Sequence, residues 1–213
     1  DEFNDDNEYD GFWGIWDEPF LQFSKSILDN KNEPFLATIF TITSHEPYII
    51  PVKFEGVFDK GYLPIHKCVG YTDYSIRQFF KSIEKSSWFE NTIFIFTSDH
   101  TNQSYFEYYQ STVNRFATPL LIYKKNGDFK GVDDRLASHL DIYPTVAQLI
   151  GYKKPFRSWG RSLLSSKNES AFTVNYFGGG AYLSMDEIDS NKLYLIFLAS
   201  FSKFLFDDIS TDL

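Results

Sequence analysis

Two adjacent residues, Asp99 and His100, follow six residues of nearly pure β-former in TIFIFTSDHTN (92–102). A carboxylate oxygen and an imidazole nitrogen offered together at the C-terminal edge of a strand can hold a divalent metal. That donor mixture suits Mn²⁺ or Zn²⁺ better than Ca²⁺. Two ligands do not complete a site, so one or two more must come from elsewhere. The bare dipeptide has a second reading, Asp99 capping the following turn and His100 on the surface, and spacing alone does not overturn it.

His45 ends a neighbouring apolar run, PFLATIFTIT (34–43), inside the polar segment SHEPY. There it could hydrogen-bond an anionic substrate, act as general acid to a leaving alkoxide, or be a loop histidine bonded to backbone. His66 lies in a long loop and His139 precedes a helix, and neither directly ends a strand, so both read as structural. Asp141 is better placed as a helix N-cap than as a base. The chain has no GxSxG elbow, Walker A loop or GxGxxG fingerprint, which disfavours hydrolase triads, NTPases and Rossmann dehydrogenases.

The elements that must position these residues follow from periodicity. Asp17 to Asp29 predicts an amphipathic helix capped by Asp17, with Phe20, Phe23 and Ile27 at helical spacing. Residues 34–43 predict a strand covered on both faces, and 46–68 a long surface loop rich in Pro and Gly. A second helix starts from Asp73 with Ile76, Phe79, Phe80 and Ile83 on one face and ends before Trp88. TIFIFT (92–97) and TPLLIY (118–123) are further buried strands, and DIYPTVAQLIG (141–151) a short helix stopped by Gly151. Helices alternating with buried strands predict α/β architecture with a parallel, doubly wound sheet. In such sheets ligands bind outside the carboxyl ends of the strands, which is where Asp99, His100 and His45 fall. After Gly151, AFTVNYF, AYLSM, LYLIFLAS and KFLFDD read as antiparallel strands of a C-terminal subdomain. Three segments result: an acidic arm over 1–12, a main part over 13–151, and the C-terminal strands over 152–213.

With 213 residues, 43% of them hydrophobic, and 23 Phe and 14 Tyr, the chain can bury a large core. The four tryptophans, Trp13, Trp16, Trp88 and Trp159, read as core by default. A net charge of -9 without a basic patch excludes a nucleic-acid surface. The single cysteine, Cys68, excludes an intramolecular disulfide and reads as a buried, inert thiol. No apolar run approaches the ~20 residues that cross a bilayer, so the chain itself reads as soluble.

Taken in order, WGIxDE (13–18), PFLATIFTITSHEPY (34–48), GYTD (70–73), FENTIFIFTSDHTNQ (89–103), TPLLIY (118–123) and SHLDIYPTVAQLIG (138–151) resemble the sulfatase-like enzymes of the alkaline phosphatase superfamily. The resemblance is nearest to the lipoteichoic acid synthase branch of membrane phosphoglycerol transferases. It is clear from Trp13 to Gly151 and vague beyond. It implies an α/β/α sandwich, here partial, with a C-terminal antiparallel β subdomain. It further implies that Asp99 and His100 bind the catalytic divalent metal, Mn²⁺ first with Zn²⁺, Mg²⁺ or Ca²⁺ as alternatives, and that His45 contacts the phosphoglycerol group.

The family mechanism uses a metal-bound threonine nucleophile and a covalent phospho-threonine intermediate. In the family that threonine, a further metal-binding carboxylate and a His/Trp/Arg substrate set lie upstream of the WGIxDE segment. The twelve residues before Trp13 contain no Thr, Ser, His, Trp or Arg. The resemblance therefore makes this chain the C-terminal part of a catalytic domain, inactive alone, from a parent enzyme anchored in the membrane and acting on its extracytoplasmic face. Its expected substrate is a phosphoglycerol lipid or another phosphate or sulfate ester. Alternatives are a sulfate-ester hydrolase with a formylglycine nucleophile, for which Cys68 is misplaced, and a non-catalytic sulfatase-like binding module.

Overall fold

The computed structural model describes residues 3, 5–111, 114–127, 129–165, 172–177 and 180–185. They fall into two compact units, residues 1–130 and 131–213. The texture change expected at Gly151 therefore lies inside the second unit.

The first unit opens with a tight turn in which Tyr9 bridges Ile15 and the Asp10 amide donates to the Gly14 carbonyl. From Asp5 the acidic stretch is thus tied into the fold by local hydrogen bonds and this turn. Helix α1 (Asp17–Leu28) follows, with Trp16, rather than Asp17, at its N-cap. Helix α2 (Ile65–Ile83) begins eight residues before the expected Asp73. The early start is explained by Pro64 at its N-cap and by Cys68, Tyr71 and Ser75, which extend the buried stripe one turn after another toward the N-terminus.

The two helices pack on each other through Leu21, Leu28, Phe79 and Ile83, closed at one end by Trp88 and Phe89. Each such side chain contributes about 1.5–3 kcal/mol of burial. Nearer its N-terminus, α2 meets a second aromatic cluster in which Phe54 and Phe58 surround Tyr71 and Tyr74. Burial pushes the Tyr71 hydroxyl well above the usual phenol range.

Strands β1 (Phe94–Thr97) and β2 (Leu120–Tyr123) lie within the two predicted runs but pair antiparallel, Phe94 opposite Tyr123 and Thr97 opposite Leu120. The expected parallel order does not hold for this pair. Phe80 of α2 lies against Phe94, Phe96 and Tyr123, so the helix covers one face of the ladder. Leu121, opposite Phe96 on that same face, is still exposed.

The run 34–43 forms no strand. It has no ladder partner among the described residues, and only Phe35 and Ile39 reach the core. Leu36 and Phe40 remain 88% and 64% exposed, contrary to a strand covered on both faces. An apolar, β-branched run supplies side chains suited to a sheet, but a strand exists only where a neighbour completes its hydrogen bonds.

In the second unit, a turn of 3-10 helix (His139–Asp141) leads into helix α3 (Ile142–Leu149), which ends at Gly151 with φ 72°. Strands β3 (Phe172–Phe177) and β4 (Gly180–Met185) form the expected antiparallel pair, Phe177 opposite Gly180. The predicted strands LYLIFLAS and KFLFDD lie outside the described residues. Helices with short antiparallel ladders make this a partial α/β fold.

Candidate functional site

Asp99 and His100 stand two and three residues beyond the end of β1, as the sequence predicts. Their side chains are 54% and 67% exposed, so both are open to a ligand. The His100 amide donates to Asp99 Oδ1 at 2.9 Å, a local bond of the kind expected if Asp99 only caps the turn. The imidazole is oriented as well. Nδ1 lies 2.8 Å from the Thr101 carbonyl oxygen, an obligate acceptor, so Nδ1 carries the proton and Nε2 presents its lone pair.

His100 Nε2 lies 3.4 Å from Asp99 Oδ2. Two ligands on one Mn²⁺ or Zn²⁺ ion, each roughly 2.0–2.2 Å from it, sit about 3.0–3.5 Å apart. The pair therefore fits a metal's first two ligand positions, and the Thr101 carbonyl supplies the outer hydrogen bond that metal-bound histidines use. Thr101 is itself tied down, its hydroxyl donating to the Arg115 carbonyl at 2.5 Å. Among the described residues no third His, Cys, Asp or Glu joins them.

His45 is exposed at the end of the irregular run, and three contacts hold its loop. The first is Asp17, which is fully buried and whose carboxylate accepts from the Ile42 amide at 3.1 Å, the Thr43 amide at 3.0 Å, the Thr43 hydroxyl at 2.7 Å and the Thr72 hydroxyl at 2.6 Å. The same carboxylate thus clasps the stem of the His45 loop and helix α2. The second is Trp13, whose indole nitrogen donates to the Glu46 carbonyl at 2.8 Å and whose ring centroid lies 4.0 Å from that of His45. The third is Tyr48, buried in a left-handed conformation (φ 59°) with its hydroxyl donating to Glu46 Oε1 at 3.3 Å.

Tyr48 also joins the two candidate segments, because its hydroxyl has the side chain of Asn102 as a polar neighbour. Burial, then the Glu46 carboxylate, push that hydroxyl above the usual phenol range, which keeps it a neutral donor. The structure therefore brings the SHEPY loop and the SDHTN loop to one region of the first unit.

His66, Asp141 and Cys68 make local contacts away from these two loops' candidate residues. His66 Nδ1 accepts the Tyr62 amide at 3.0 Å and fixes the turn before α2. Asp141 is the N-cap residue of α3, yet its carboxylate caps neighbours outside the helix, the Ser138 amide at 2.9 Å and the Arg161 amide at 2.8 Å. Cys68 is buried, and burial pushes its thiol up to about 11.

Sequence reasoning missed Trp13 and Asp17. Trp13, taken as core, is 59% exposed, and Trp159 is exposed too, while Trp16 and Trp88 are buried. A signal for Trp13 existed in Asp10-Gly11, a turn pair that places the next residues at a loop tip.

Residues 1–152 match the Sulfatase family model. Lipoteichoic acid synthase 1 of Bacillus subtilis (strain 168) is 26% identical over 196 residues, covering 82% of this chain and 30% of that protein. Lipoteichoic acid synthase of Staphylococcus aureus (strain USA300) is 20% identical over 203 residues, covering 85% of this chain and 30% of that protein. A crystal structure of a protein in the alkaline phosphatase superfamily from Vibrio parahaemolyticus superposes with a TM-score of 0.63 at 26% identity, over 90% of this chain and 54% of that one. The chain thus spans about 30% of the length of these curated relatives.

Proposed function

The chain belongs to the sulfatase family, with a fold of the alkaline phosphatase superfamily, and from that premise we propose that it forms part of a metal-dependent phosphoglycerol transferase or phosphate-ester hydrolase. The observation that carries the proposal is the Asp99–His100 pair, with Nε2 and Oδ2 3.4 Å apart and Nδ1 committed to the Thr101 carbonyl. Lipoteichoic acid synthases among the relatives favour phosphoglycerol as the transferred group.

A divalent metal held by Asp99 and His100, Mn²⁺ in first place, would act as a Lewis acid on a phosphoryl oxygen. Asp99 supplies the negative charge of the ligand pair. His100 is kept in the tautomer that can ligate by its bond to Thr101. The Tyr48 hydroxyl, with Asn102 as a polar neighbour, links the two loops. His45, exposed in the SHEPY loop, would donate from Nε2 to the phosphoryl group or leaving alkoxide when its ring is protonated, and accept a proton there when it is neutral. The acceptor of the group is a hydroxyl or water, and the nucleophilic threonine implied by the family has no match in these 213 residues. No helix among the described residues is long and apolar enough to cross a membrane. An enzyme of this kind would work on the outer face of the cell membrane, where phosphoglycerol lipids are met.

The test is Mn²⁺ titration of the intact protein, followed by electron paramagnetic resonance, against Asp99→Ala. Loss of at least about tenfold in affinity is expected from removing a ligand or its support. Equal, weak binding by both proteins would sink the metal assignment and favour a non-catalytic sulfatase-like module.

A further inference from the structure

The turn over residues 9–15 is built to present one side chain. Asp10 Oδ1 accepts from three successive amides, Phe12 at 2.8 Å, Trp13 at 2.8 Å and Gly14 at 3.0 Å. The turn rests on Ile42, whose Cδ1 lies so near Gly14 that a Cβ there would be 3.2 Å away. Trp13 at the tip of this turn buries little, yet its indole is engaged through both its N–H and its ring.

The reason lies in what the indole does to His45. The Glu46 carbonyl oxygen receives the Trp13 indole N–H at 2.8 Å and faces His45 Nδ1 at 3.1 Å. A carbonyl only accepts, so His45 Nδ1 is protonated and Nε2 is the free, outward nitrogen. The indole ring lies beside the imidazole at 4.0 Å with a 49° tilt, closing one face of it. One residue thus fixes the acceptor that selects the tautomer and walls the ring that carries it.

We infer that Trp13 is the positioning residue for His45: it commits Nδ1–H to the Glu46 carbonyl, so that Nε2 is the nitrogen presented to the phosphoester, a proton acceptor in the neutral ring and a donor in the protonated one. The inference rests on the proposed phosphoester function for its purpose, but its geometry concerns this chain alone. Because Trp13 is exposed and absent from the core, its replacement leaves folding to the Asp17 clasp and the helix pair.

The experiment is ¹⁵N-resolved NMR of the His45 ring in the chain, for the native sequence, Trp13→Leu and Trp13→Phe. The native ring is expected as the Nδ1–H tautomer. Trp13→Leu lowers the ratio of that tautomer to the Nε2–H form roughly three- to tenfold, the scale of one aromatic contact. Trp13→Phe, which keeps a ring face, retains more of it. A native Nε2–H tautomer, or a Trp13→Leu ratio equal to the native one, overturns the inference. If Trp13→Phe falls as far as Trp13→Leu, the stacking half of it is overturned.

A second arm titrates glycerol phosphate into the same samples. If the tautomer responds to Trp13 but glycerol phosphate never perturbs His45, the phosphoester reading fails and the positioning role stands. If glycerol phosphate perturbs His45 alike in native and Trp13→Leu samples, the positioning role fails and the reading stands.

Discussion

The Asp17 carboxylate accepts a 2.7 Å hydrogen bond from the Thr43 hydroxyl across 26 residues of chain, and the Thr43 hydroxyl in turn accepts the Asp17 amide at 3.2 Å. This reciprocal pair, with Thr72 on the second carboxylate oxygen, is what fixes α1, the stem of the His45 loop and α2 to one another. The four hydrogen bonds received by the carboxylate come from two amides and two hydroxyls, all neutral. A buried charge held only by dipoles is stable while every donor is in place.

Asp17→Ala leaves those donors unpaired in a buried site, so we expect a loss of about 3 kcal/mol or more from the first unit. Asp17→Asn keeps one acceptor oxygen and loses less. Urea midpoints rank the three proteins, and amide exchange at Thr43 locates the damage. A native midpoint for Asp17→Ala would show that the clasp contributes nothing.

Asp29 closes the other end of α1 and titrates. Its carboxylate is paired with Lys25 and accepts from the Ser86 hydroxyl at 2.7 Å and the Trp88 indole at 2.9 Å. The Lys25 contact, then the Ser86 hydroxyl, hold it below the usual carboxylate range, with burial opposing them and the Trp88 indole adding a lesser lowering. The folded state therefore takes up this proton at a lower pH than the unfolded chain does. Its stabilisation is complete above the unfolded value near ~4 and is lost as pH falls through the folded value. In thermal melts between pH 6 and pH 2.5, Asp29→Asn should start less stable and lose less on acidification. Parallel curves for the two proteins would remove Asp29 from the acid response.

These two aspartates show what the sequence could and could not convey. Asp17 and Asp29 bracket a helical period, so the helix was legible, but their partners 26 and 57 residues away were not. The position of Asp99 and His100 at a strand end was legible because strand and pair are contiguous in TIFIFTSDHTN. Strand direction was not, because Phe94 and Tyr123 pair through tertiary placement that periodicity does not encode. The same holds for PFLATIFTIT, whose β-branched content is local while a ladder partner is not. Trp13 escaped because aromatic residues are assigned to cores by type, and only the Asp10 turn places this one at a surface tip.

Cys68 gives a direct reading of the packing under Tyr71. Burial pushes its thiol up to about 11, so at pH 8 roughly one molecule in a thousand carries the thiolate. The Sγ also lies 3.6 Å from the Ile49 carbonyl, to which it can donate. Iodoacetamide labelling of the native chain at pH 8 should be at least about a hundredfold slower than in denaturant, and should accelerate in Asp17→Ala as the clasp opens. Equal rates in native and denatured chains would contradict the burial of this thiol.

The second unit hangs on one close approach. A Cβ on Gly160 would sit 2.2 Å from the Leu140 carbonyl oxygen and 2.6 Å from the Asp141 amide nitrogen, both backbone atoms that cannot rotate away. That approach lets the Arg161 amide reach Asp141 Oδ1 at 2.8 Å and the Leu163 amide reach the Thr145 hydroxyl at 2.9 Å, which staples residues 160–163 to the start of α3. Gly160→Ala must push the segment off the helix and break both bonds, a loss we expect at about 2–3 kcal/mol. Ser138→Ala removes the side-chain half of the capping box before α3, including the bond to the Leu140 amide at 3.3 Å, and should cost about 1 kcal/mol. Amide exchange of Arg161 and Leu163 should rise sharply in the first variant and little in the second. The reverse order would mean that α3 is held by its cap and that the Gly160 contact is incidental.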